Sequence, residues 1–380
     1  MSITRLKMTA SRSIGIAALL CATALVSSPA AFAGETRGYV VSWFHLVPGV
    51  EPEKVDCPEG VNPNAEGNFK TWLKQMNMSP AEIEKAMDDF PNTMYSLAPM
   101  RGRIDGKPVN VYSNPTSIPD PNIKTIKSNR ALGFNLDDNA RTGGFVDPET
   151  GEKGVDNQVF RALGCVVSER GQRGGAPSAA RPGYPAIQWD HNRVHMAAWL
   201  IEVSDIDDPN NDDDVKISLV QATRPVVKDA NGEPQRDMTF EVDDNPRTKN
   251  ITRGAIKNGV LTSNRFTVDL ILAKYGIIPT IKLENAFLRL STAADGTAMG
   301  VLGGYQDWLD LYGGFGRGGS GIEVNISFDV PGIYYALRKM ADAAPDPKTG
   351  QNTLISAAYW IDAVPAYIVH PTLKAAKEGK

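Results

Sequence analysis

The sequence predicts a mostly β (α+β) protein. The expected core is an antiparallel β-sandwich or jelly-roll-like assembly, with an N-terminal helical hairpin and a C-terminal helix. Three observations carry this. Short alternating or β-branched segments recur roughly every 8–15 residues, separated by Gly and Asn turns. No regular strand–helix–strand alternation runs along the chain, which disfavours a doubly wound parallel sheet. The 35 glycines and 26 prolines among 380 residues make the chain turn-rich without a collagen-like or disordered composition.

Residues 1–33 read as a signal peptide. Arg5, Lys7 and Arg12 precede an apolar stretch from Ile14 to Val26, and Ala31-Phe32-Ala33 supplies a small-x-small cleavage site. The apolar stretch falls short of the roughly 20 residues that a spanning helix needs. Cleavage after Ala33 leaves Gly34 first and implies export, to a periplasm or to the extracellular space. Losing three cations takes the formal charge from -4 to -7. Such a surface disfavours nucleic acid and anionic membranes.

Residues 34–380 read as a single large β-rich domain with a helical insertion at 66–90 and long loops at 101–183. Residues 38–47 are rich in β-branched and aromatic side chains and form the first expected strand. Phe69, Trp72, Leu73 and Met76 share one helical face. The second helix opens with Ser79 as N-cap and Pro80 at its first position, and Pro91 closes it. From about residue 186 the pattern turns to β, with an expected strand over 194–201. Residues 215–227, 237–242, 266–270, 281–285, 287–290, 324–328, 354–359 and 366–369 also read as strands. Residues 252–256 and 260–262 read as a hairpin across Asn258-Gly259. The glycine-rich run 313–319 reads as a flexible loop, and 333–343 as a helix.

Two cysteines survive cleavage, Cys57 and Cys165. In an oxidising compartment they are expected to form one disulfide across 108 residues.

Two acidic segments are candidate calcium sites, because hard cations take oxygen ligands from carboxylates and amides on a turning loop. Asn135, Asp137 and Asn139 have the 1-3-5 spacing of a calcium loop, with Asp147 and Asp156 downstream. Asp208, Asn210 and Asp212 repeat that spacing inside an Asp-rich run from Asp205 to Asp214. Neither segment carries the glycine at position 6 or the glutamate at position 12 of an EF-hand. The competing reading is Asx-turns in solvated loops. Asp190, His191 and His195 form the one histidine-containing cluster; on a strand the two imidazoles stand about 13 Å apart, too far for one metal. Trp189, Trp199, Tyr305, Trp308 and Tyr312 are candidates for stacking on a ligand, against burial in the core.

Asp56-Cys57-Pro58-Glu59-Gly60, Phe134-Asn135-Leu136-Asp137, Phe145-Val146-Asp147-Pro148 and Gly154-Val155-Asp156-Asn157-Gln158, followed by Leu163-Gly164-Cys165, resemble segments of a group of exported bacterial proteins. The resemblance covers mainly residues 56–165. It implies export and no particular reaction.

The functional expectation is an extracytoplasmic binding or structural module, calcium-stabilised in one version, for a small molecule or glycan. The alternative is a hydrolase of carbohydrate or another envelope substrate. The alternative requires two or more of Asp137, Asp147, Asp156, Asp190 and His195 to meet in one pocket.

Overall fold

The first and last long strands pair with each other, and that contact sets the architecture. In the computed structural model, residues 34–140, 144–170, 189, 193–272 and 278–371 are described. The expected signal peptide, Asp190, His191 and residues 171–183 of the basic glycine-rich stretch lie outside them. The described residues belong to one compact unit beginning at Gly34.

The strands are β1 (Glu35–Leu46), β2 (Gly102–Ile104), β3 (Lys107–Val109), β4 (Phe145–Val146), β5 (Lys153–Val155), β6 (Trp199–Ile206), β7 (Asn211–Gln221) and β8 (Met238–Glu241). They continue as β9 (Lys249–Lys257), β10 (Val260–Ser263), β11 (Phe266–Ile271), β12 (Thr280–Thr292), β13 (Ala298–Asp307), β14 (Ala343–Pro345) and β15 (Asn352–Val369). The helices are α1 (Glu53–Asp56), α2 (Ala65–Gln75), α3 (Pro80–Asp88), α4 (Asn92–Leu97), α5 (Gln158–Leu163), α6 (Trp308–Ile326) and α7 (Val330–Met340).

The main sheet runs β1-β6-β7-β9-β10-β12-β13-β15, and β15 returns to β1. Every step of this ring is antiparallel, and its members follow chain order, so this is a closed up-and-down β-barrel. It corrects the expected sandwich. The reason lies in β1: its 12 residues pair with β6 through Glu35–Val40 and with β15 through Tyr39–Leu46, which leaves the ring no free edge. Short β14 and β11 flank β15 and β12, and β8 adds in parallel to the end of β15.

Directly opposed residues share a sheet face. Tyr39, Ile201, Leu219 and Asn250 therefore face together across β1, β6, β7 and β9. Two contacts identify this as the interior, because they cross between strands that are not neighbours. Tyr39 Oη lies 3.4 Å from Thr292 Oγ1, and Trp199 Nε1 donates to the Ile271 carbonyl at 3.1 Å. The interior is filled by side chains, and the space left at one mouth, beside Arg37 and Tyr39, is only about 30 Å3.

Two excursions cover the outside. Residues 222–248 shield Val40, Leu200 and Val220 with Phe240 and Val242. The long segment between β1 and β6 shields the β12–β13–β15 side. There Phe134 stacks on Phe287 with ring centroids 5.5 Å apart, and Arg289 donates to Asp147 at 2.5 Å. Cys57 and Cys165 form the expected disulfide within this segment, with Cα atoms 5.8 Å apart.

The helical hairpin forms as expected. Asn64 caps α2, and Ser79 and Glu82 make a reciprocal capping box on α3. Pro91 ends that hairpin and also opens α4. Phe69, Trp72, Leu73 and Met94 pack together beneath it. Three local expectations change. Residues 193–195 are helical, and β6 begins only at Trp199. The glycine-rich run 313–319 and residues 324–326 belong to α6 rather than to a loop and a strand. Packing explains the glycines: α6 bends at Gly319, where φ is 47°, and a Cβ there would lie 2.9 Å from the Tyr112 ring.

A buried ionic network anchors α6 to the insertion. Arg101 holds Glu323 with two hydrogen bonds of 3.0 and 2.7 Å and lies over the Trp72 ring at 3.8 Å. Glu323 also accepts from the Tyr112 hydroxyl at 2.6 Å and from the Val330 N–H at 3.1 Å. Burial opposes the charge on Arg101, but Glu323 more than offsets it, so the guanidinium stays protonated.

Candidate functional site

The β12–β13–β15 register brings three outward-facing residues into one row: Glu284 opposite Tyr305, and Tyr305 opposite Ser356. Helix α6 starts directly after β13 because Asp307 caps it, accepting the N–H groups of Leu309 and Asp310 at 2.7 and 2.9 Å. Between the first turns of α6 and this sheet face lies a cleft of about 350 Å3, lined by Lys282, Glu284, Tyr305, Asp307, Asp310 and Arg317.

Tyr305 is the centre of the site. It is 8% exposed, and among the described residues its hydroxyl has no hydrogen-bond partner. The other aromatic candidates are core residues with their polar atoms bound. Trp189 donates to the Ser42 carbonyl, Trp199 to Ile271, Trp308 to Asn352, and the Tyr312 hydroxyl to the Tyr112 carbonyl.

Three carboxylates outside the cleft lining, Asp156, Asp342 and Asp137, act electrostatically on Tyr305. Asp156 is buried, and its Oδ2 accepts the N–H groups of Leu136 and Asp137 at 2.8 and 3.3 Å. Asp342 follows α7 and holds Ser356 through its N–H at 2.8 Å and its hydroxyl at 2.6 Å. Burial raises the Tyr305 phenol well above its usual range; Asp156, Asp342 and Asp137 push it further, and Arg265 opposes them. Burial likewise pushes Asp156 up to about 6; the two amides pull it down, while Asp137 and Asp342 add to the rise. Enclosure of the Asp342 carboxyl raises it too, although much of that residue's surface is open.

The expected calcium residues are occupied mainly in backbone turns. Asn135 and Asp137 both accept the Asn139 N–H, at 2.9 and 2.8 Å. Asp147 is fully buried, accepts the N–H groups of Glu149 and Thr150, and pairs with Arg289. Asp208 accepts the Asn210 N–H at 2.8 Å. Asp212 accepts from Asp207, Asp208 and Asp214, and these amides hold its carboxyl below the usual range. Asp205 and Asp214 pair with Arg253. Among the described residues no group of three or more His, Cys, Asp and Glu side chains is placed to hold a metal ion.

Of the residues offered for hydrolysis, Asp137 and Asp156 come together. Asp147 is committed to Arg289, and His195 lies in a helical turn ahead of β6. Asp342, Glu284 and Asp310 escaped sequence reasoning. The β12–β13 register brings Glu284 opposite Tyr305, Asp310 lines the cleft from the first turn of α6, and Asp342 lies between α7 and β14.

A further buried carboxylate lies elsewhere. Glu169 has a side chain 4% exposed with no hydrogen bond to either oxygen among the described residues, and His45 Nδ1 lies 3.8 Å away. Burial pushes Glu169 up to about 8.

Comparison with protein-family models, with curated proteins and with solved structures found no match. No helix among the described residues is long and apolar enough to cross a membrane.

Proposed function

We propose that this protein is an exported binding module whose small-molecule ligand seats in the Tyr305 cleft. The observation that carries this reading is the polar cleft of about 350 Å3 between α6 and the sheet face, with the largely buried Tyr305 in its wall. A concave site of this volume with polar side chains in its wall suits a small molecule. The filled barrel interior favours this outer cleft over the barrel lumen. Export is supported by the charged, apolar and small-residue order of positions 1–33, and by a disulfide that an oxidising compartment would maintain.

Thermal-shift screening against neutral sugars, organic acids and amines tests the proposal. A ligand that raises the melting temperature of the wild type, but not of Tyr305→Phe, supports it. Ligands acting equally on both proteins overturn the cleft as the site.

A hydrolase is the second reading, favoured by the buried Asp156 carboxyl, which burial pushes up to about 6 and which lies against the Asp137 N–H at 3.3 Å. Turnover of nitrophenyl glycosides or esters that disappears in Asp156→Asn would replace the binding reading. Calcium is a separate proposal for the two acidic segments. Calorimetric titration of the chelated protein tests it, and the absence of heat excludes it.

A further inference from the structure

We infer that a second pocket, between α7 and residues 120–127, binds inorganic phosphate. It shares no lining residue with the Tyr305 cleft, so it stands apart from the binding reading above.

The pocket holds about 240 Å3 and has three lysines in its wall, Lys124, Lys127 and Lys339. None of them has an ion-pair partner among the described residues. Lys124 is the fixed one. It is half-buried, and its Nζ donates to the Glu59 and Val61 carbonyls at 2.8 and 3.0 Å. An ammonium carries three N–H donors, so one is left for a ligand while the charge stays unneutralised. The backbone that carries it is clamped. Asn62 accepts the Lys124 N–H at 2.7 Å and donates back to the Lys124 carbonyl at 2.9 Å, and the Lys127 N–H donates to the Asp56 carbonyl at 2.8 Å. The turn that supplies Asn62 starts at Cys57, which the disulfide ties down.

The opposite wall is one face of α7, bearing Gly332, Tyr335, Ala336 and Lys339. Gly332 lets that face approach closely: a Cβ there would lie 2.4 Å from the Ile123 side chain. The Tyr335 hydroxyl pins it further by donating to the Ile118 carbonyl at 2.7 Å. Both walls are therefore set before a ligand arrives, which keeps the cost of ordering low. Lysine ammoniums act as point charges and suit a compact oxyanion, whereas arginine offers a flat fork. Two carboxylates in the lining, Glu59 and Asp120, narrow the choice. Asp120 Oδ1 accepts the Asn122 N–H at 2.8 Å, and its Oδ2 has no hydrogen-bond partner among the described residues. A carboxylate can only accept, so it repels an oxyanion that carries no proton. Inorganic phosphate keeps at least one O–H at neutral pH. It can donate that O–H to Asp120 while its other oxygens accept from the lysines; sulfate cannot.

The test is isothermal titration with inorganic phosphate, sulfate and glycerol 3-phosphate, on wild type, Lys124→Gln, Lys339→Gln and Asp120→Asn. Phosphate is expected to bind with Kd of about 1 mM or tighter, and roughly three- to tenfold more weakly in each lysine variant. Lys339 is exposed, so its substitution does not threaten folding; should Lys124→Gln fail to fold, Lys339→Gln decides alone. Sulfate is expected not to bind the wild type and to gain binding in Asp120→Asn, where the repelling charge is gone. Sulfate that binds the wild type as well as phosphate overturns selection by the carboxylate. Glycerol 3-phosphate that binds more tightly than phosphate overturns free phosphate as the ligand. Phosphate that fails to bind, or binds the lysine variants as tightly as the wild type, overturns the pocket as the site.

Discussion

Replacing Asp156 by Asn should change how stability depends on pH. In the folded protein, burial raises this carboxyl from 3.8 to about 6. Between those values the folded state holds a proton that the unfolded chain has released. Stability from this group is therefore full below pH 3.8 and is lost as pH rises through about 6. The difference corresponds to about 3 kcal/mol, at about 1.4 kcal/mol per pH unit. Asn cannot ionise, and its side-chain oxygen can still accept the 2.8 Å bond from the Leu136 N–H. Urea unfolding of both proteins from pH 4 to 7 measures the effect. The Asn oxygen can stand where Oδ2 accepts both amides, so the variant starts within about 1 kcal/mol of the wild type at acid pH. It should then gain on the wild type across the window, by about 3 kcal/mol at pH 7. Parallel curves would refute the claim that burial without a cationic partner dominates this carboxyl.

Three further outcomes follow from the same structure. Replacing Cys57 and Cys165 by Ser should cost up to about 4.8 kcal/mol by loop entropy for the 108-residue separation; denaturant midpoints of the pair variant and of the reduced wild type should agree. Glu323→Ala should destabilise by about 3–5 kcal/mol, because it strands the buried Arg101 charge and the Tyr112 hydroxyl; an unchanged midpoint would mean the network is dispensable. Glu169→Gln should flatten stability between pH 5 and 9. The wild-type carboxyl titrates near 8, so its stabilising proton is lost as pH rises through that value, at about 1.4 kcal/mol per pH unit; a wild-type curve without this alkaline loss would refute the burial of that group.

Local chemistry wrote several features directly into the chain. Ser79, Pro80 and Glu82 set the start of α3 wherever it packs. Asn258 and Gly259, both at positive φ, make the β9–β10 turn that their residue types favour. Two cysteines left over after the expected cleavage had one intramolecular partner each. These signals need only neighbours in sequence.

Tertiary structure decided the rest. Strand alternation tells which residues share a face but not which strand lies alongside, so β1 could not announce its pairing with β15 more than 300 residues away. The glycines of α6 resemble a loop until the Tyr112 ring claims the space beside Gly319. The cleft draws Glu284, Tyr305 and Asp310 from separate elements, none carrying a spacing that marks a site. Closing the ring removed every free edge from the barrel, and the β12–β13–β15 registers that helped close it set Glu284, Tyr305 and Ser356 in one row.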